Sequence, residues 1–135
     1  MGVRKIYLSW DDVDALLTIV WNQVIEKRFK YVSGIPRGGL IPAILFSHKY
    51  DLEFMVKPDN YYNDLLIFDD ISDTGTTLDK WMPEFPNPSF ATLHTKTGAI
   101  KKPDFTGMTI PDDYGWIVYP WERKDSKTIQ NYLDY

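Results

Sequence analysis

In "LLIFDDISDTGTTLDK", residues 65–80, four apolar residues run straight into two adjacent carboxylates, Asp69 and Asp70. A third acid, Asp73, follows, and then hydroxyls gathered around one glycine, Thr74-Gly75-Thr76-Thr77. The stretch 65–70 with its apolar start has the pattern of a central parallel strand, covered on both faces. Residues 76–84 then suit a short helix. Like charges side by side at a strand end repel, and folding does not ask for them. A ligand does. The turn at a helix N-terminus offers N–H groups and hydroxyls to a phosphate, and the carboxylates can accept from ribose hydroxyls or hold a hydrated Mg²⁺. The plainer alternative is a solvated acidic turn with threonines capping a helix.

Working outward, "SWDDVDALLTIVWNQVIEK" (9–27) places Ser9 as an N-cap with Asp12 three residues on, ahead of apolar residues at helical spacing. Residues 30–35 form a strand ending near Gly34. Residues 38–50 open on two glycines and continue as a helix, with Pro42 in its first turn, where proline is tolerated. Strands are expected over 52–57, 88–96 and 115–119, a turn over 58–64, a loop over 98–108, and a helix near 126–133. Helix and strand alternate without repeat or linker, so 1–135 is expected to be a single α/β domain, a Rossmann-like mostly parallel sheet flanked by helices. In such sheets ligands sit at the carboxyl ends of strands, where both glycine-rich turns fall.

The bulk numbers narrow the function. A net charge of −4 argues against a nucleic-acid binder, which needs clustered Lys and Arg. No apolar run reaches membrane-spanning length, "MGVRKIYLSWDD" lacks a signal-peptide core, and cysteine is absent, so a cytoplasmic protein is expected. No Gly-Lys-Ser/Thr follows the phosphate turn, which removes the P-loop NTPases. His48 and His94 have no ligand-spaced partner and are read as structural. The lysines at 101–102 and the run 122–125 are read as solvated faces.

Residues 65–77 closely resemble the phosphoribosyl pyrophosphate (PRPP) signature of the type I phosphoribosyltransferases: apolar residues, two acids, two variable positions, then Asp-Thr-Gly-Thr-Thr. "SGIPRGGLIPA" (33–43) resembles that family's pyrophosphate loop. The resemblance implies that Pro36, Arg37, Gly38 and Gly39 bind diphosphate, with a non-proline cis bond at Pro36–Arg37. It further implies that Asp69 and Asp70 hold the ribose and Mg²⁺, while Thr74, Gly75, Thr76 and Thr77 hold the 5′-phosphate. "ATLHTK" and "GWIVYPWE" are similar to the purine-binding part of xanthine-guanine and related enzymes. By that likeness Lys96 would donate to purine O6, Trp116 would stack on the ring, and the Ile117 backbone would meet the exocyclic group. Asp73 would face N7, and with Arg37 would be catalytic. Glu122 stands where those proteins have an aspartate, one carbon shorter.

The implied reaction moves phosphoribosyl from Mg-PRPP to N9 of a 6-oxopurine, in a protein expected to be a homo-oligomer. Related enzymes carry a long closing lid before the acidic strand. Here only Asp51 to Asp64 are available, with Tyr61 or Tyr62 as partial substitutes. A nucleotide- or PRPP-binding module without turnover is therefore the second reading, and a transferase for a non-purine base the third.

Overall fold

The computed structural model describes residues 3–123. Its elements in chain order are β1 (Lys5–Tyr7), α1 (Trp10–Val24), β2 (Tyr31–Gly34), α2 (Leu40–Tyr50), β3 (Glu53–Phe54), β4 (Leu65–Ser72), α3 (Thr76–Glu84), β5 (Ser89–Lys96), β6 (Phe105–Ile110) and β7 (Trp116–Val118). The helix expected near 126–133 lies outside the described residues.

Five strands form one sheet in the order β3-β2-β4-β5-β6, and β1 pairs separately with β7. Every strand pair among the described residues is parallel. β4 sits at the centre, and its alternating residues feed two cores. Leu66 and Phe68 join Val13, Leu17 and Val20 of α1 and Ala43 and Phe46 of α2, whereas Leu65 and Ile67 meet Leu78 of α3 and Phe90. Each such buried aliphatic side chain contributes roughly 1.5–3 kcal/mol of transfer free energy. A central strand covered by helices on both faces explains why its sequence shows no alternation.

α1 starts as its sequence predicts. Ser9 Oγ accepts from Asp12 N–H at 3.0 Å, and the Asp12 carboxylate accepts from Ser9 N–H at 2.9 Å. This reciprocal pair is the capping box.

Four boundaries depart from expectation. The acidic strand runs on to Ser72, because β5 continues beside it and pairs Ile71 with His94 and Ser72 with Thr95. The strand expected at 52–57 is only Glu53–Phe54, since β2 offers it just Tyr31 and Val32 in register. The segment expected as a loop at 98–108 contains the start of β6, an edge strand beside β5. Gly107 misleads there as a turn signal. A Cβ at that position would press on Leu93 O at 2.7 Å and on Leu16 of α1 at 3.1 Å, so the glycine admits the helix to the sheet. β1 went unread because three residues carry no period, and the strand it pairs with lies at the far end of the chain.

Candidate active site

The acidic pair sits where β4 outruns its neighbour. β2 stops at Gly34, and the last bond between them is Ile35 N–H to the Phe68 carbonyl at 2.8 Å. Beyond it the carboxylates turn back on their own strand. Asp69 Oδ1 accepts from Asp70 N–H at 2.9 Å, and Asp70 Oδ1 accepts from Ile71 N–H at 2.8 Å. Asp69 is 7% exposed. Burial first, and then the neighbouring Asp70 charge, push its carboxyl well above the usual carboxylate range. Burial also raises Asp70, against the opposing pull of its hydrogen bonds to Asp69 and to Ile71 N–H.

The turn after β2 lies against this pair. A Cβ on Gly38 would collide with the Asp70 carboxylate, so glycine brings the loop 35–39 directly onto the acid. Pro36 and Arg37 are exposed on that loop, and the peptide bond joining them is cis, as the resemblance implies. Gly39 is buried beneath them.

Behind the acids comes the hydroxyl turn. Gly75 takes φ +92°, the left-handed region that favours glycine, and α3 begins at Thr76. The hydroxyls of Thr74 and Thr76 lie 2.9 Å apart. A small hollow here is lined by Ile71, Ser72, Asp73, Gly75, Thr76 and Thr77. The chain after β5 closes its outer side: Ile100 N–H bonds Thr74 O at 2.8 Å, and Ser72 Oγ bonds Lys101 O at 2.7 Å. The lysines expected as solvated faces are therefore partly structural. The Lys101 carbonyl anchors the turn, and Lys102 Nζ ties the Thr97 and Ala99 carbonyls at 3.0 and 3.1 Å.

Lys96, the last residue of β5, forms an ion pair with Asp73 at 3.0 Å, with both side chains nearly buried. One donor and one acceptor thus stand side by side at the sheet edge. Trp116 and Ile117 lie on β7, which pairs with β1 in the register Lys5↔Trp116. The Trp116 Nε1–H is buried, with no hydrogen-bond partner among the described residues. Trp121 packs flat on Tyr119, centroids 4.9 Å apart. Glu122 Oε1 accepts from Tyr119 N–H at 2.8 Å, and burial raises its carboxyl above the ordinary range.

The structure thus brings Gly38, Asp69 and Asp70 together, joins Asp73 to Lys96, and seats Thr74 to Thr77 behind them. Two residues were missed as parts of this region. Tyr119 donates to the Asp70 carbonyl at 3.2 Å, and His94 Nδ1 lies 2.8 Å from the same hydroxyl. Neither stands in a motif, and a lone histidine within a strand gives no spacing cue.

No protein-family model matches the chain. Curated relatives do. It is 29% identical to a xanthine-guanine phosphoribosyltransferase of Cereibacter sphaeroides, over 88% of this chain and 87% of that one. Among solved structures, a purine phosphoribosyltransferase of Pyrococcus horikoshii superposes with a TM-score of 0.74 at 27% identity, covering 93% and 99% of the two chains. In sequence and in fold the chain is similar to purine phosphoribosyltransferases. A xanthine-guanine-hypoxanthine phosphoribosyltransferase of Helicobacter pylori, at 20% identity and a TM-score of 0.70 over 89% and 93% of the chains, has the same fold. Among the described residues no helix is long and apolar enough to cross a membrane.

Proposed function

We propose that the chain is a purine phosphoribosyltransferase that moves the 5-phosphoribosyl group from Mg-PRPP to N9 of guanine, xanthine or hypoxanthine and releases pyrophosphate. The observation that carries this reading is the meeting of three motifs at one sheet edge: Gly38 against Asp70, the acid pair, and the threonine turn immediately behind. Kinship with xanthine-guanine enzymes supports the choice of base.

In this reading the C1–O bond to diphosphate breaks as the C1–N9 bond forms, through a transition state with cationic character at the sugar. Positioning and charge do most of the work. Arg37 and the N–H groups of its loop take the diphosphate, Asp69 and Asp70 accept from the ribose hydroxyls, and the Thr74–Thr77 turn holds the 5′-phosphate. Lys96 donates to O6 while Asp73 accepts the proton that N7 loses, so the ion pair they make with each other is exchanged for the base edge.

Two carboxylates fit Mg²⁺, which is commonly held by one or two carboxylates together with substrate oxygens and water. The cost of two buried adjacent charges is also what a cation relieves. Asp69 and Asp70 would hold it, and its chemistry is to neutralise charge on the departing diphosphate.

One observation favours the second reading, a binding module without turnover. Residues 55–64 hold no helix or strand and are tied down at Asn60, whose side-chain oxygen accepts from Asn87 N–H at 3.0 Å and whose carbonyl accepts from Asn87 Nδ2 at 2.9 Å. Tyr62 packs on Tyr31, 5.0 Å between centroids, leaving Tyr61 exposed.

The test is incubation with PRPP, Mg²⁺ and each of guanine, xanthine, hypoxanthine and adenine, following nucleotide and pyrophosphate, with Asp69→Asn/Asp70→Asn as control. Nucleotide from a 6-oxopurine, lost in the control, is the expected result. Pyrophosphate without nucleotide would mean leakage to water. Neither product, with PRPP still raising the melting temperature, would leave the binding module. A cytoplasmic homo-oligomer is part of the same proposal, and light scattering checks the assembly.

A further inference from the structure

Past Phe68 the backbone of β4 has no β2 residue to pair with, and the next groups on that side belong to Asp70. Its N–H goes to the Asp69 carboxylate. Its carbonyl goes to the hydroxyl of Tyr119, 3.2 Å away and forty-nine residues later in the chain. A phenol has one proton, so the oxygen that donates to Asp70 must accept at its other contact. That contact is His94 Nδ1 at 2.8 Å, which makes the imidazole the donor. The chain of bonds has one direction: His94 Nδ1–H to Tyr119 Oη–H to the Asp70 carbonyl. Burial pushes the His94 ring down to about 4 and the Tyr119 hydroxyl up, so the histidine is neutral and the phenol keeps its proton.

Tyr119 is fixed from several sides. Its N–H is held by Glu122, its ring lies 3° from the plane of Trp121, and 2% of its surface is exposed, as for His94. A phenylalanine would fill the same space. What tyrosine adds is the two bonds of its hydroxyl, which join β4, β5 two residues before Lys96, and the segment leaving β7.

We infer that Tyr119, oriented by His94, is a positioning residue for the acid pair: it fixes the Asp70 main chain, and with it the aim of both carboxylates at ribose hydroxyls. This rests on the proposed function. Calorimetry with two probes tests it, Mg-PRPP, which meets the acid pair through its ribose and its metal, and metal-free pyrophosphate, which offers the acids neither. Tyr119→Phe and His94→Phe are expected to weaken PRPP about three- to tenfold, the worth of one hydrogen bond. Pyrophosphate binding should be unchanged, and His94→Asn, which keeps an N–H near Nδ1, should bind PRPP nearly as the wild type does.

Equal losses for both probes, an unaltered PRPP affinity in Tyr119→Phe, or identical behaviour of His94→Phe and His94→Asn would each overturn the inference. A wild-type chain that binds neither probe overturns the proposed function and this inference together. Should Tyr119→Phe fail to fold, nitrogen NMR of wild-type His94 decides: a ring proton on Nδ1 supports the relay, and one on Nε2 refutes it.

Discussion

Asp69 lies in β4 under nearly complete cover, beside a second carboxylate, so its ionised form is destabilising at neutral pH. Asparagine can still accept from Asp70 N–H in the same place without the charge. Asp69→Asn is therefore expected to melt no lower than the wild type at pH 8, and higher if the fold tolerates the amide, while losing phosphoribosyl transfer. The sign with pH follows from the direction of the shift. A carboxyl raised on folding binds protons better in the native state, so wild-type stability rises as pH falls through the raised value. The gap between variant and wild type should close on acidification in thermal melts from pH 8 to pH 5. A gap that widens would show that the Asp69 charge stabilises the fold.

At the scale of elements, the turn proposed for the phosphate takes its shape from Gly75, which shares one space with the backbone of Ile100 and Lys101. A Cβ at Gly75 would come within 2.5 Å of Lys101 N, and φ +92° is strained for any L side chain. Gly75→Ala is expected to raise KM for PRPP by an order of magnitude while leaving KM for the base within about twofold, in steady-state kinetics. Uniform change in both constants would place the turn's importance in folding instead. This element was legible in its sequence because hydroxyl and glycine spacing is a local signal, as was the Ser9 capping box. β6 and the reach of β4 to Ser72 were not legible, since each depends on β5 as a neighbour. The Tyr119–His94 contact was hidden for the same reason. Chemistry that sits in one motif can be read from the chain, and chemistry assembled between strands cannot.

For the whole molecule, the pairing of β1 with β7 ties the described chain's first strand to its last. The bond from Leu8 N–H to Val118 O, 3.0 Å, and that from Trp116 N–H to Arg4 O, 2.7 Å, bracket the pair. Deleting residues 1–8 removes this support from Trp116 and Ile117 while taking away no strand pairing of the five-stranded sheet. The deleted chain is expected to lose affinity for the purine more than for PRPP, measured by separate titrations. An equal loss would deny β1 any particular hold on the base end.

The same pairing orders events on the ribosome. Domains fold from the N-terminus as they are made, and contacts distant along the chain must wait for both partners. β4 and its helices emerge early, and the strands of the main sheet are all synthesised by Ile110. β1 then stays without its sheet neighbour until Val118 has left the exit tunnel. A nascent chain therefore owns the groups proposed for the sugar phosphate before the tryptophan proposed for the base, and translation arrested between the two would yield a protein that grips the donor with nothing to give it to.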